Sequence, residues 1–140
     1  MTFFTQVIRQ YLLDKAFVNV YLEGFKKFQP ENSEKNQNQI AVSNKTKLIP
    51  MQSPVRNVNF DIWVKNVEKE KSWETALKIQ YLLLNNVGFL TIQRDIKFLR
   101  IGITGEVMDW SRDNSNANVY LIQGDAIITD LNIKIQKKIS

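Results

Sequence analysis

A chain of 140 residues, 44% hydrophobic and 11% aromatic, holds enough apolar material for one domain around a single core and too much for a disordered polymer. It contains no cysteine and no histidine, which excludes disulfide scaffolds, Cys/His zinc sites, thiol nucleophiles and every catalytic triad built on a histidine base. The 19 Lys and Arg against 14 Asp and Glu give a net charge of +5, an excess that permits contact with nucleic acid without requiring it.

The opening Met1-Thr2-Phe3-Phe4-Thr5-Gln6 has no basic n-region, and no apolar run approaches the roughly 20 residues that span a bilayer, so a soluble, intracellular chain without membrane contact is expected. Phe4, Val7, Ile8, Tyr11 and Leu12 recur at three- and four-residue spacing, which predicts a helix over residues 2–15 capped by Thr2. From Phe17 to Phe25 the period falls to two, with Val18, Val20 and Leu22 on one face of a half-buried strand. Residues 29–54 turn to Pro, Glu, Asn, Ser, Lys and Gln and keep apolar side chains only around Ile40, Val42, Leu48 and Ile49. The expectation is a single domain over 1–140 carrying a long polar loop or arm there: a mobile loop, a weak hairpin, or an arm that orders against a partner.

Val58, Phe60, Ile62 and Val64 alternate with Asn57, Asn59, Asp61, Trp63 and Lys65, the clearest strand in the sequence, spanning residues 55–67. After the charged turn Glu68-Lys69-Glu70-Lys71, Ser72 is placed to cap a second helix. Its core face is read as Trp73, Ala76, Leu77, Gln80 and Leu84, with Ile79 and Leu83 adjoining. The remainder reads as strands over 89–93, 96–106, 118–123 and 126–136, with a polar loop at 109–116 and a tight Gly124-Asp125 hairpin turn. Helix, strand, loop, strand, helix and several strands make an α+β fold, two helices packed on a mainly antiparallel β-sheet.

No residue set reads as catalytic. Asp95-Ile96-Lys97 with Asp61 upstream imitates half of a metal-dependent nuclease motif, but edge-strand charges explain the triplet more simply. Asp109, Asp113 and Ser115 open like a calcium loop, yet the glycine and glutamate that complete such a loop are missing. Gly102-Ile103-Thr104-Gly105 lacks the Gly-Lys-Ser/Thr of a phosphate cradle and reads as a bend or bulge. Trp63, Trp73 and Trp110 are assigned to packing, because no basic aromatic stripe joins them.

The segment Arg56-Asn57-Val58-Asn59-Phe60-Asp61-Ile62-Trp63-Val64, the charged turn, and Ser72-Trp73-Glu74-Thr75-Ala76-Leu77 to Leu84 resemble the middle of the tail-terminator, or minor capsid, proteins of long-tailed bacteriophages. The flanks fit in order and length: a helix and strand before, and a sheet ending in a long strand after. The resemblance implies a tail-terminator-like fold and a structural protein, neither enzyme nor cofactor carrier. Such subunits form a homo-hexameric ring that caps the tail tube, ends its polymerisation, and joins it to the head-completion (connector) protein at the head-tail junction of the virion, with DNA only as passing cargo. By the same analogy the 29–54 arm, with Lys35, Lys45 and Lys47, and the 109–116 loop, with Trp110, Arg112 and Asp113, are the expected contact regions. A small basic nucleic-acid-binding module is the alternative, and its signature is binding that falls steeply with salt. An accessory nuclease would require Asp61 and Asp95 to converge on one metal.

Overall fold

The computed structural model describes residues 4–24, 38–45, 55–85, 96–112 and 117–130. In chain order the elements are α1 (Phe4–Asp14), β1 (Val20–Leu22), β2 (Gln39–Asn44), β3 (Val55–Asn66), α2 (Lys69–Asn85), β4 (Ile96–Ile103), β5 (Met108–Arg112) and β6 (Asn118–Asp130). The strands form a six-stranded sheet in the order β1-β2-β3-β6-β4, with β5 also on β6. Only the β1–β2 pair is parallel; the other described pairings are antiparallel. The protein is therefore α+β, two helices on a mainly antiparallel sheet.

The register tells which side chains share a face, because residues opposite one another in a ladder point the same way. Ile40 and Val42 of β2 stand opposite Val64 and Ile62 of β3, which stand opposite Tyr120 and Ile122 of β6. With Val20, Val58, Phe60, Ala126, Ile128, Phe98 and Ile101 they make the inner face, all buried. Against it pack Phe4, Val7, Ile8, Tyr11 and Leu12 of α1 and Ala76, Ile79 and Leu83 of α2. The helical spacing of the first set and the alternation in β3 place these residues from sequence alone.

Four sequence expectations need correction. The 29–54 segment is not all loop: Gln39–Asn44 is β2, an inner strand between β1 and β3, and Ile40 and Val42 are core. The strand expected over 17–25 shrinks to Val20–Leu22, because Ala16, Asn19 and Glu23 hold positive φ (71°, 57° and 72°), which breaks the alternation and leaves Val18 exposed. Ser72 does not cap α2; the helix begins at Lys69, and the Ser72 hydroxyl lies inside it, donating to the Lys69 carbonyl at 2.9 Å. Entry to the helix is set instead by Asn66, whose Oδ1 accepts from the Glu68 N–H at 2.8 Å.

The fourth correction concerns Gly124-Asp125, which is not a hairpin turn. β6 runs unbroken through it, pairing with β3 along its whole length and, on its other edge, with β5 and then β4. β4 and β5 follow one another in the same direction along that edge, and the chain steps between them without reversing, where Gly105 has φ +99° and the Thr104 N–H donates to the Gln123 carbonyl at 2.9 Å. Gly124 is required for space. It pairs with Phe60, and a Cβ there would collide with the Phe60 ring and lie 2.9 Å from the Gly102 carbonyl oxygen. The ring of Phe60 thus fills the place a side chain would take, the aromatic cover that a strand glycine invites. The strand predicted over 89–93, the 131–136 end of the strand predicted over 126–136, and Thr2 lie outside the described residues.

Gly124→Ala is expected to cost about 1–3 kcal/mol by overpacking, read by chemical denaturation. Combined with Phe60→Leu it should cost less than the sum of the two single changes, since the smaller side chain vacates the space the methyl needs. Additive losses would show that the ring and the glycine do not share that space.

Candidate functional site

The second helix carries two apolar faces. Its buried arc is Ser72, Thr75, Ala76, Ile79 and Leu83. Trp73, Leu77 and Leu84, expected in the core, are 40%, 38% and 52% exposed, and with Tyr81 they form an outward stripe at helical spacing. The small residues decide this rotation. Ser72, Thr75 and Ala76 let the helix lie close to the sheet, and Thr75 Oγ1 accepts from Asn38 Nδ2 at 2.6 Å while Asn66 Nδ2 donates to Asn38 Oδ1 at 3.0 Å. Asn38 and Asn66 thereby tie the beginnings of β2 and α2 and the end of β3 together, and bulky side chains are left at the flanks and top.

One flank of α2 leans over the β4–β5 edge. Trp73 packs on Tyr120 with ring centroids 5.2 Å apart at 53°, Gln80 Nε2 reaches the Gly105 carbonyl at 3.5 Å, and Lys69 Nζ stands 3.9 Å from the Asp109 carboxylate. A cavity of about 440 Å³ opens there, lined by Lys69, Glu70, Trp73, Val107, Asp109 and Tyr120. Burial, and secondarily the Asp109 carboxylate, push the Tyr120 hydroxyl above its ordinary value; burial does the same to Tyr11.

On the other face of the sheet, Trp63, Leu121 and Met108 form a row across β3, β6 and β5. Trp110 stands beside this row, its ring set edge-on to Trp63 at 5.2 Å and 87°. Trp110 is 54% and Met108 42% exposed, so this apolar patch opens to solvent at the β5 edge. Exposed apolar side chains gathered in this way differ from the single, scattered ones normal to a surface.

The expected contact residues fare differently. Trp110, expected in the 109–116 loop, lies on a strand and is exposed. Residues 108–112 are β5, so the 109–116 loop is at least half strand. Arg112 pairs in register with Asn118. Lys45 is tied to the sheet at the end of β2, its N–H donating to the Asn59 carbonyl at 2.9 Å and its Nζ standing 3.4 Å from the Asp61 carboxylate, which is 3% exposed. Lys35, Lys47 and Asp113 lie outside the described residues. Sequence reading missed the outward stripe of α2 and the pairing of Trp63 with Trp110. The stripe was present as Trp73, Leu77, Tyr81 and Leu84; the choice between the helix's two faces was not.

Asp95 lies outside the described residues, and the backbone of Lys97, the described end of the Asp-x-Lys triplet, stands far from Asp61 along β6. Asp61 is registered to Gln123 and Lys97 to Thr129, six positions along β6, which is about 20 Å of strand. Among the described residues no group of three or more acidic side chains gathers to hold a metal, and no helix is long and apolar enough to cross a membrane.

No family model matches the chain, and no curated protein matches it in sequence. Among solved structures it is similar to a chain in the virion of a native gene transfer agent particle, with a TM-score of 0.57 over 89% of this chain and 93% of that one, at 10% identity. What is shared at that identity is the fold.

The raised tyrosines set a sign for alkaline pH. The folded state holds each phenolic proton more tightly than the unfolded chain, whose ordinary value is 10.0, so this contribution is complete below pH 10 and is lost as pH rises beyond it. The fall in melting temperature between pH 9 and pH 11 is expected to be shallower in Tyr120→Phe than in the wild type, and shallower again with Tyr11→Phe. Parallel pH profiles would contradict it.

Proposed function

We propose that this chain is a structural subunit of a phage-like virion, one that caps the tail tube as a ring, ends tube polymerisation and joins tail to head. The observation that carries the reading is the fold shared along nearly the full length of both chains with a component of a gene transfer agent virion. The surface supports it. A subunit that closes a ring by a head-to-tail interface must offer two different patches, and it needs them exposed before assembly. The Trp63, Met108 and Trp110 patch at the β5 edge is one such surface: aromatic, adjoining an edge strand, and supported from behind by the longest ladder in the sheet.

In this reading the protein works without catalysis or cofactor, and its partners are copies of itself, the tube protein and the head-completion protein, with DNA passing through. A protein that acts by fitting others needs rigid surfaces, not a reactive cleft.

Light scattering of the protein with and without assembled cognate tail tube, followed by electron microscopy of the mixture, tests this. Six-fold rings, or tubes capped at one end with growth arrested, are the expected result. Trp110→Ala should abolish capping while shifting the melting temperature by no more than a few degrees, because the side chain is half exposed and truncating it opens no core cavity. A protein that stays monomeric and leaves tube growth unchanged would overturn the reading.

A further inference from the structure

The flank of α2 away from β5 faces the turn that follows α1, and the two enclose a groove of a different character. One part, about 560 Å³, is walled by Phe17, Leu77, Tyr81 and Leu82; the adjoining part, about 540 Å³, has a floor of Asn38, Asn66, Thr75 and Ile40. Lys15 and Lys78 border both parts, and Lys71 the second. Among the described residues no carboxylate lines either part.

The charges are unevenly met. Lys71 has Glu68 at 3.2 Å. Lys15 stands over the face of Tyr11, with its Nζ 5.5 Å from the ring centre, and among the described residues neither Lys15 nor Lys78 has a carboxylate within ion-pair distance. The groove therefore joins an apolar trough to cations at its border, two of which no described carboxylate neutralises. Its chemistry is complementary to a chain segment in which an apolar anchor is flanked by carboxylates: the anchor displaces water from Phe17, Leu77 and Tyr81, and the carboxylates face Lys15 and Lys78.

We propose that the groove between α2 and the 15–18 turn is a docking site for an acidic segment of a partner protein carrying an apolar anchor. This does not rest on the ring reading, since the groove shares no residue with the Trp63, Met108 and Trp110 patch. A nucleic acid would use the lysines but leave the apolar trough unfilled, which is why the acidic peptide is the better fit.

The test uses the full chain and a fluorescein-labelled twelve-residue peptide of Glu and Asp around a central Leu-Phe pair, followed by fluorescence anisotropy. Saturable binding is expected, weakening as salt is raised and falling at least tenfold in the double variant Lys15→Glu/Lys78→Glu. Leu77→Ser should also weaken it, whereas Lys69→Glu on the opposite flank and Trp110→Ala should leave it unchanged. Circular dichroism melts confirm that each variant is folded. The proposal is overturned if the peptide does not bind, if a Glu-only peptide of equal charge binds as well, or if a DNA oligonucleotide displaces the peptide and itself loses affinity in the double variant.

Discussion

Twelve consecutive residue pairs join β3 to β6, and the remaining described elements are arranged about that ladder. β2 pairs on the far side of β3, β4 and β5 share the far side of β6, and α2 lies across the inner face of both central strands. A slip of one residue would turn Phe60, Ile62, Tyr120 and Ile122 out to the opposite face, so the register is under strong selection by burial. Phe60 over Gly124 adds a steric key near the middle of the ladder, where only a residue without a side chain fits beneath the ring. The same register sets Trp63 in line with Leu121 and Met108, so the outer aromatic patch is positioned by the contacts that hold the core.

Much of this was legible in the order of residues. The period of α1 and the alternation in β3 each name one buried face without ambiguity, and the α+β class follows from their order. β2 was obscured because its apolar run is only Ile40, Ala41 and Val42, while Gln39, Ser43 and Asn44 have the composition of a loop; pairing between two other strands makes it part of the sheet and buries Gln39 with the apolar three. Gly124-Asp125 misled for a related reason. A glycine can answer a demand for turn geometry or a demand for space, and the second depends on Phe60, more than sixty positions earlier in the chain.

The helix α2 shows where local periodicity stops being informative. Its sequence supports an apolar arc of Trp73, Leu77, Tyr81 and Leu84 as well as one of Ala76, Ile79 and Leu83, and hydrophobicity alone favours the bulkier set. Packing favours the smaller one. Ser72, Thr75 and Ala76 allow close approach to the sheet, and Asn38 and Asn66 supply hydrogen bonds at the point of contact that a helix rotated toward Trp73 would forfeit. The larger side chains are then excluded from the core by the smaller ones, and the surface acquires its apolar stripe as a consequence.

That stripe divides two environments with different electrostatics. Toward β5, Lys69 faces Asp109 and Trp73 covers Tyr120, so charge and aromatic surface are already matched within the chain. Toward α1, Lys15 and Lys78 stand beside Phe17 and Tyr81 with no carboxylate to answer them among the described residues. Long-range attraction acts before contact and apolar burial after it, so a flank combining unmatched charge with apolar walls can both draw and hold a partner of opposite sign. A flank whose charges are already paired selects by shape. A single helix, rotated by its small residues, can in this way present one surface that discriminates by electrostatics and another that discriminates by fit.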